Sequence, residues 1–303
     1  MHYGLEEKSS QNNSCQKIEK HMKKKSAISL ISYDANMFLA DSIKRYYNYV
    51  DEIILGIDKD RITWSGNDFS IDEDALWSSL SQIDGDNKIS IIEENFHQSE
   101  IAIENDNYER NFLKAQCSHD WIFSFDADEM LVNTKKFFLE YCPLVENYYN
   151  KADICMVWST PYKKLNDESG ESHTLLIANE DDTPFFGENQ GVVTSKDSTY
   201  VYARWTDKSG SGAGRLMSPL VALHWSLCRP EKELHEKIHN IGHSDLVEKD
   251  PFYQIWSQVT WENYHELHNF KTSGLGDAQW PKLIAIPDEH VENYILENIG
   301  RAY

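Results

Sequence analysis

An α/β fold with a mainly parallel sheet is predicted for residues 26–240 by three observations. Apolar runs rich in β-branched residues, suited to strands buried on both faces, alternate with segments of helical periodicity. The runs stop at acidic or polar residues, where ligands sit beyond the carboxyl ends of strands in open α/β sheets. The chain of 303 residues, 40% hydrophobic and 12% aromatic, has the length and composition to bury a large core.

Residues 1–25 are polar and end in a basic stretch from Lys17 to Lys25, which reads as a flexible tail. AISLISY is the first strand, and DANMFLADSIKRYYNYV a helix with Asp34 as its expected N-cap. EIILGID at 52–58 is a second strand ending on Asp58, so that residues 26–58 form one βαβ unit. A polar loop with Gly66 and the helix IDEDALWSSLSQI lead to a third strand, KISIIEENF. YERNFLKAQC is helical and leads into WIFSFDADEML, the fourth strand. Its apolar part, Trp121, Ile122, Phe123 and Phe125, is followed at once by Asp126, Asp128 and Glu129.

The second half starts with a helix capped by Asn133 or Thr134 and interrupted near Pro143, then a strand at 153–162. Residues 163–219 are rich in Gly, Asp, Ser and Thr, with short strand-like pieces such as TYVYARW and the run KSGSGAG. This is the pattern of irregular acceptor-binding loops. LVALHW is a strand, and RPEKELHEKIHNIGH a helix with Pro230 near its start. The last segment, 241–303, reads as a mostly helical extension packed through Trp256, Trp261 and Trp280.

Charge narrows the function. With 29 basic and 50 acidic residues the formal charge is −21, which disfavours general nucleic-acid binding, because that affinity comes from Lys and Arg on phosphate. An anionic nucleotide entering such a protein needs a cation. Asp126 and Asp128, two residues apart at a strand end, can converge on Mg²⁺ or Mn²⁺, although a bare Asp-x-Asp also reads as a solvated turn. Neither GxGxxG nor GxxxxGK[ST] occurs. The five cysteines have no CxxC spacing and read as thiols of a reducing compartment. With no apolar run of transmembrane length and no signal-peptide core, a soluble cytoplasmic protein is expected. A peripheral visit to a membrane, to meet a lipid-linked acceptor, stays open.

The order of first strand, helix, VDEIILGID, an Arg110–Asn111 pair on a helix, and DWIFSFDADEM resembles the family 2 glycosyltransferases of the GT-A fold, in the subgroup with a D-A-D-E metal motif. The resemblance covers roughly residues 26–240. It implies a Rossmann-like nucleotide-binding sheet with helices on both faces, with 26–132 as the nucleotide-sugar half and 133–240 as the acceptor half. It further implies that Ser32 and Tyr33 hold the nucleoside, that Asp58 accepts the N–H of a uracil, and that Arg110 faces the base or diphosphate with Asn111 buttressing the strand ends. Asp126 lies toward ribose and metal, Asp128 binds the metal directly, and Glu129 orders the turn or faces the acceptor.

His224, at the end of LVALHW, is the expected third metal ligand, or else a histidine packed beside Trp225. Arg229 and Lys237 suit a leaving diphosphate, or a surface ion pair with Glu233. The implied reaction moves a sugar from a UDP-sugar to an acceptor hydroxyl with Mn²⁺ or Mg²⁺. If it inverts configuration, a carboxylate must take the acceptor's proton. No family motif marks that base; Asp207, beside the flexible run, is the first choice and Asp182 the second. His235, His239 and His243, spaced by four, read as a polar helix face and not as a zinc site. A nucleotidyltransferase and a non-catalytic sugar- or protein-binding module on the same scaffold are the alternatives. Glycan, lipid-linked sugar, protein and modified base all remain as acceptors.

Overall fold

The computed structural model describes residues 23–148, 152–207, 215–240, 242, 249–271 and 279–301. Most of the N-terminal tail, the KSGSGAG run and His243 lie outside the described residues.

The strands are β1 (Lys25–Ile31), β2 (Glu52–Asp58), β3 (Ile89–Glu94), β4 (Trp121–Ser124), β5 (Glu129–Leu131), β6 (Asp153–Ser159), β7 (Pro161–Asn166), β8 (Ser172–Ala178), β9 (Phe186–Ser195), β10 (Tyr200–Tyr202), β11 (Trp205–Thr206), β12 (Arg215–His224), β13 (His268–Lys271) and β14 (Gln279–Pro287). The longer helices are α1 (Ala35–Tyr46), α2 (Glu73–Ile83), α3 (Ala102–Gln116), α4 (Cys142–Tyr148), α5 (Glu231–Asn240), α6 (Lys249–Gln258) and α7 (Val291–Asn298).

An eight-stranded sheet has the order β3-β2-β1-β4-β9-β6-β12-β5. Its first four strands are parallel, and every residue of β1 and β4 is buried, so their sequences are near-continuous apolar runs. β9 runs antiparallel to both β4 and β6, and β5 antiparallel to β12. This is the expected α/β class, with a Rossmann-like parallel half. Helix α1 lays Phe38, Leu39, Ile43 and Tyr46 on the sheet. Helix α2 is capped by Asp72, whose carboxylate accepts the Ala75 N–H at 3.0 Å. Among the described residues no helix is long and apolar enough to cross a membrane. Cys117, Cys142, Cys155 and Cys228 are buried free thiols.

Several local expectations change. Asp34 sits before α1 but does not cap it, because its carboxylate is drawn to Arg229. The helix after Asn133 starts as a short turn, passes through a π segment at Phe137–Tyr141 and only then becomes α4, since Pro143 has no N–H to give to the preceding turn. Residues 163–219 are not mainly irregular. They form β7 to β11 and the start of β12, with polar residues on the exposed strand faces and in tight turns such as Asp167–Glu171, where the Asp167 carboxylate accepts the N–H groups of Ser169 and Glu171 and Gly170 takes φ 88°. The C-terminal extension contains α6 and α7 but also β13 and β14, which join β8 and β7 in a second, antiparallel sheet of order β13-β14-β8-β7. Trp256 is buried in the core beneath that sheet, with Trp280 packed against it.

Candidate active site

The strand order reverses between β1 and β4, and there, beyond the carboxyl ends of β1, β2 and β4, a cleft of about 310 Å³ opens. Ser32, Tyr33 and Asp34 line it from the end of β1, Asp58 from β2, and Asp126, Ala127 and Asp128 from β4. Trp158, Arg204, His224 and Lys237 complete its lining.

The acidic stretch divides into a turn between two strands of opposite direction. Asp126 keeps 30% of its side chain exposed and is gripped by Arg110, with Nη1 2.9 Å from Oδ1 and Nη2 donating to Oδ2 at 3.1 Å. Burial works against ionisation, but Arg110 and Arg204 outweigh it and hold the carboxyl down at about 2. Asp128 is 2% exposed, and its Oδ2 accepts from Arg229 Nη2 at 2.7 Å and from Lys237 Nζ at 2.8 Å. Burial again raises its pKa, and Lys237 and Arg229 together pull it well below the usual carboxylate range. Glu129 does not face the cleft: it is fully buried, pairs with Arg204 and accepts the Asp126 N–H at 3.0 Å. Its place is to order the turn.

His224 reaches the turn through the β5–β12 pairing, in which it stands opposite Glu129. Its Nε2 lies 3.7 Å from Asp128 Oδ1, its ring centre 4.4 Å from that of Trp158, and burial lowers it to about 4, so it is a neutral imidazole. Lys237 belongs to this group, with its ammonium held charged by Asp128 against the opposing effect of burial. Arg229 is in contact as well, but from beneath. Its side chain is fully buried between Asp34, at 3.1 Å, and Asp128, which leaves it no route to a diphosphate.

At the ends of β1 and β2 the expectations divide. Ser32 and Tyr33, expected to hold a nucleoside, line the cleft, and burial raises the Tyr33 phenol above its usual value. Asp58 is placed there too, but its oxygens accept four backbone N–H groups, from Asp60, Ile62, Phe96 and His97, at 2.7–3.3 Å. Four acceptor positions are all that a carboxylate has. Asp58 therefore folds the loop after β2 and has none left for a uracil N–H. Arg110 is bound to Asp106, Ser124 and Asp126 with its guanidinium over Trp64, so it acts as a buttress of the acidic turn. Asn111 buttresses β10, giving and accepting one hydrogen bond with the Tyr200 backbone at 2.8 Å.

Neither proposed base reaches the cleft. Asp207 is exposed and its carboxylate accepts the Thr199 N–H at 3.0 Å, closing the β10–β11 ribbon. Asp182 lies in the turn after β8, where it pairs with Lys282 on the second sheet. Three residues escaped the sequence reading. Arg204 is buried against Glu129, and the only sign of it was an arginine inside the apolar piece TYVYARW. Asn240, three residues after Lys237 on α5, accepts from Thr63 and Asn67 at 2.8 and 2.9 Å and ties α5 to the loop after β2. Glu109, whose Oε2 accepts from Trp64 Nε1 at 2.7 Å, is pushed by burial to about 8.

Six carboxylates line the cleft (Asp34, Asp58, Asp106, Glu109, Asp126 and Asp128) against three fixed cations, Arg110, Arg204 and Lys237. Arg229, behind the lining, pairs with Asp34 and Asp128; counting it, and with Glu109 protonated, five acids still face four cations. Asp126 Oδ1 is buried against Arg110 Nη1 at 2.9 Å, and Asp128 Oδ1 and His224 Nε2 stand 3.7 Å apart, farther than a hydrogen bond. These three do not close into a compact ligand set. Among the described residues Asp167, Glu171 and His173, in the β7–β8 hairpin, are the group that does. A small divalent ion shared with substrate phosphates needs only one or two protein carboxylates, so the donor set suits Mg²⁺ or Mn²⁺.

Neither a family model nor a curated protein matches the chain. Among solved structures it is similar to residues 1–349 of S. aureus TarS, at 9% identity and a TM-score of 0.35 over 79% of this chain and 76% of that one. It is also similar to a mannose-6-phosphate isomerase from Helicobacter pylori, at 10% identity and 0.30 over 90% and 89%, and to UDP-glucose pyrophosphorylase complexed with UDP-glucose, at 9% identity and 0.27 over 93% and 98%. Likenesses this distant carry no argument about function, which must be read from the site.

Proposed function

We propose that the protein is a divalent-metal-dependent glycosyltransferase that moves a sugar from a nucleoside diphosphate to an acceptor hydroxyl. The observation that carries this is the acid-lined cleft at the reversal of strand order, with Asp126, Asp128, His224 and Lys237 on its floor. Asp126 and Asp128 hold the cation, with His224 as a neutral third donor. A bound cation supplies charge for the departing diphosphate. Lys237, 14% exposed and already charged by its contact with Asp128, is the side chain that can add a hydrogen bond to that diphosphate. Ser32 and Tyr33 face the nucleoside. Since Asp58 is consumed by backbone, the preference for uracil has lost its residue, and the donor base must be found by trial. The loop from Ser32 to Asn36 is neither glycine-rich nor basic, which counts against a nucleotidyltransferase.

A thermal-shift screen of UDP-, GDP- and CDP-sugars with and without Mn²⁺ tests the reading. One nucleotide should raise the melting point only with the cation present, by the equivalent of about 2.7 kcal/mol when supplied at about 100 Kd. No response to any nucleotide, or a response indifferent to the cation, overturns it.

A further inference from the structure

We propose that Arg204 is a positioning residue, which holds the acidic turn in shape by gripping Glu129 and thereby sets Asp126 and Asp128. Its functional consequence rests on the transferase reading; the contacts do not.

Arg204 is 3% exposed and Glu129 fully buried. Nη1 donates to Glu129 Oε2 at 2.6 Å and Nη2 donates to Oε1, a two-point grip that a planar guanidinium makes and an ammonium does not. Nη1 also donates to the Ser124 carbonyl at 3.2 Å, at the end of β4. Glu129 Oε2 in turn accepts the Asp126 N–H at 3.0 Å. One arginine thus spans the turn, from the last residue of β4 to the first of β5. Its guanidinium lies 5.1 Å from the Trp158 ring, and that ring packs on His224. The support therefore reaches both sides of Asp128.

The backbone makes unusual concessions to put the side chain there. Ala203, just before it, adopts φ 48°, a conformation that residues other than glycine rarely take. Opposite, in β9, a Cβ on Gly191 would stand 2.6 Å from the Arg204 carbonyl oxygen, so only glycine lets the ribbon approach. Two backbone accommodations around one buried arginine are hard to explain by packing alone, and strain of this kind collects where a side chain must be aimed.

Two measurements on the full chain decide the matter. In the first, hydrogen exchange is followed in the peptide covering residues 121–131 for Arg204→Lys and for Gly191→Ala, the latter keeping the charge pair while displacing the ribbon. The Asp126 amide should exchange at least about tenfold faster in both. Unchanged protection in a folded variant refutes the proposal, and Gly191→Ala serves if Arg204→Lys fails to fold. The second is a double-mutant cycle of Arg204→Met with Glu129→Gln, read as donor hydrolysis against Mn²⁺ concentration. Each variant should raise the half-saturating Mn²⁺ by about tenfold with a much smaller change in KM for the nucleotide sugar, and the double variant should be no worse than either single one. Effects that multiply mean that Arg204 touches the substrate itself, and positioning is then wrong. If the wild type answers to no nucleotide, the transferase reading fails while the exchange result still judges Arg204.

Discussion

Asp128→Asn removes one negative charge from a site where two cations depend on it. Asp128 is 2% exposed, the Arg229 side chain is fully buried, and their 2.7 Å contact is shared with Lys237 at 2.8 Å. Lys237 can swing its ammonium toward the cleft, but Arg229 has only Asp34, at 3.1 Å, to balance it. Breaking a buried pair by removing one partner costs about 3–5 kcal/mol, because the remaining charge is stranded. Asn keeps an acceptor oxygen, which places the expected loss near ~3 kcal/mol, or roughly a hundredfold in the unfolded fraction. Urea denaturation followed by tryptophan fluorescence and far-ultraviolet circular dichroism measures it, without added metal so that binding does not intrude. Adding Lys237→Met should recover about half of the loss, since the surplus cation goes with it. A loss below about 1 kcal/mol in Asp128→Asn, or no recovery in the double variant, would show that Asp128 does not neutralise the pair, and the electrostatic account of the cleft floor would fall with it.

Three further outcomes follow from the structure. Gly56→Ala should destabilise by about 1–3 kcal/mol in urea, because a Cβ there meets Glu109 Oε1 and Leu113 Cδ1 at 2.7 Å. Glu109 is lifted from an ordinary 4.5 to about 8, so the native chain holds a proton that the unfolded chain releases. Its contribution makes stability fall as pH rises through that window and level off above it, and Glu109→Gln should flatten this part of the urea-midpoint profile. Asp207→Asn and Asp182→Asn should each leave donor turnover within about twofold of wild type, as substitutions away from a site do, and a large loss in either would return it to the mechanism.

How much was legible depended on what each residue leans against. The parallel half could be read because β1, β2 and β4 are buried strands whose apolar runs end in polar or acidic residues, and nothing distant alters that signal. Asp126 and Asp128 follow β4, while His224 ends β12 and Lys237 lies on α5, each a strongly patterned element of its own. The strands of 163–219 were hidden, since their outward faces are polar, Asp167, Ser169 and Gly170 sit in a turn, and Gly191 makes room for another backbone. Asp34 was misread as a cap because Arg229, 195 positions away, outbids the helix N-terminus. Asp58 carried the right position and the wrong role, as its partners are N–H groups of loops that have no sequence signature. Arg204 and Glu129, 75 positions apart, meet only after the β10–β11 ribbon folds back.

The register between β5 and β12 has a consequence for how such a protein can change. Glu129 and His224 face one another through backbone pairing, and apart from the ribbon that carries Arg204 neither depends on the lengths of the turns between 130 and 223. Insertions in the turns of that stretch would leave the floor of the cleft where it is, much as interchangeable heads fit one handle. Descent with modification could thus redraw the surrounding loops many times over one unchanged acidic floor.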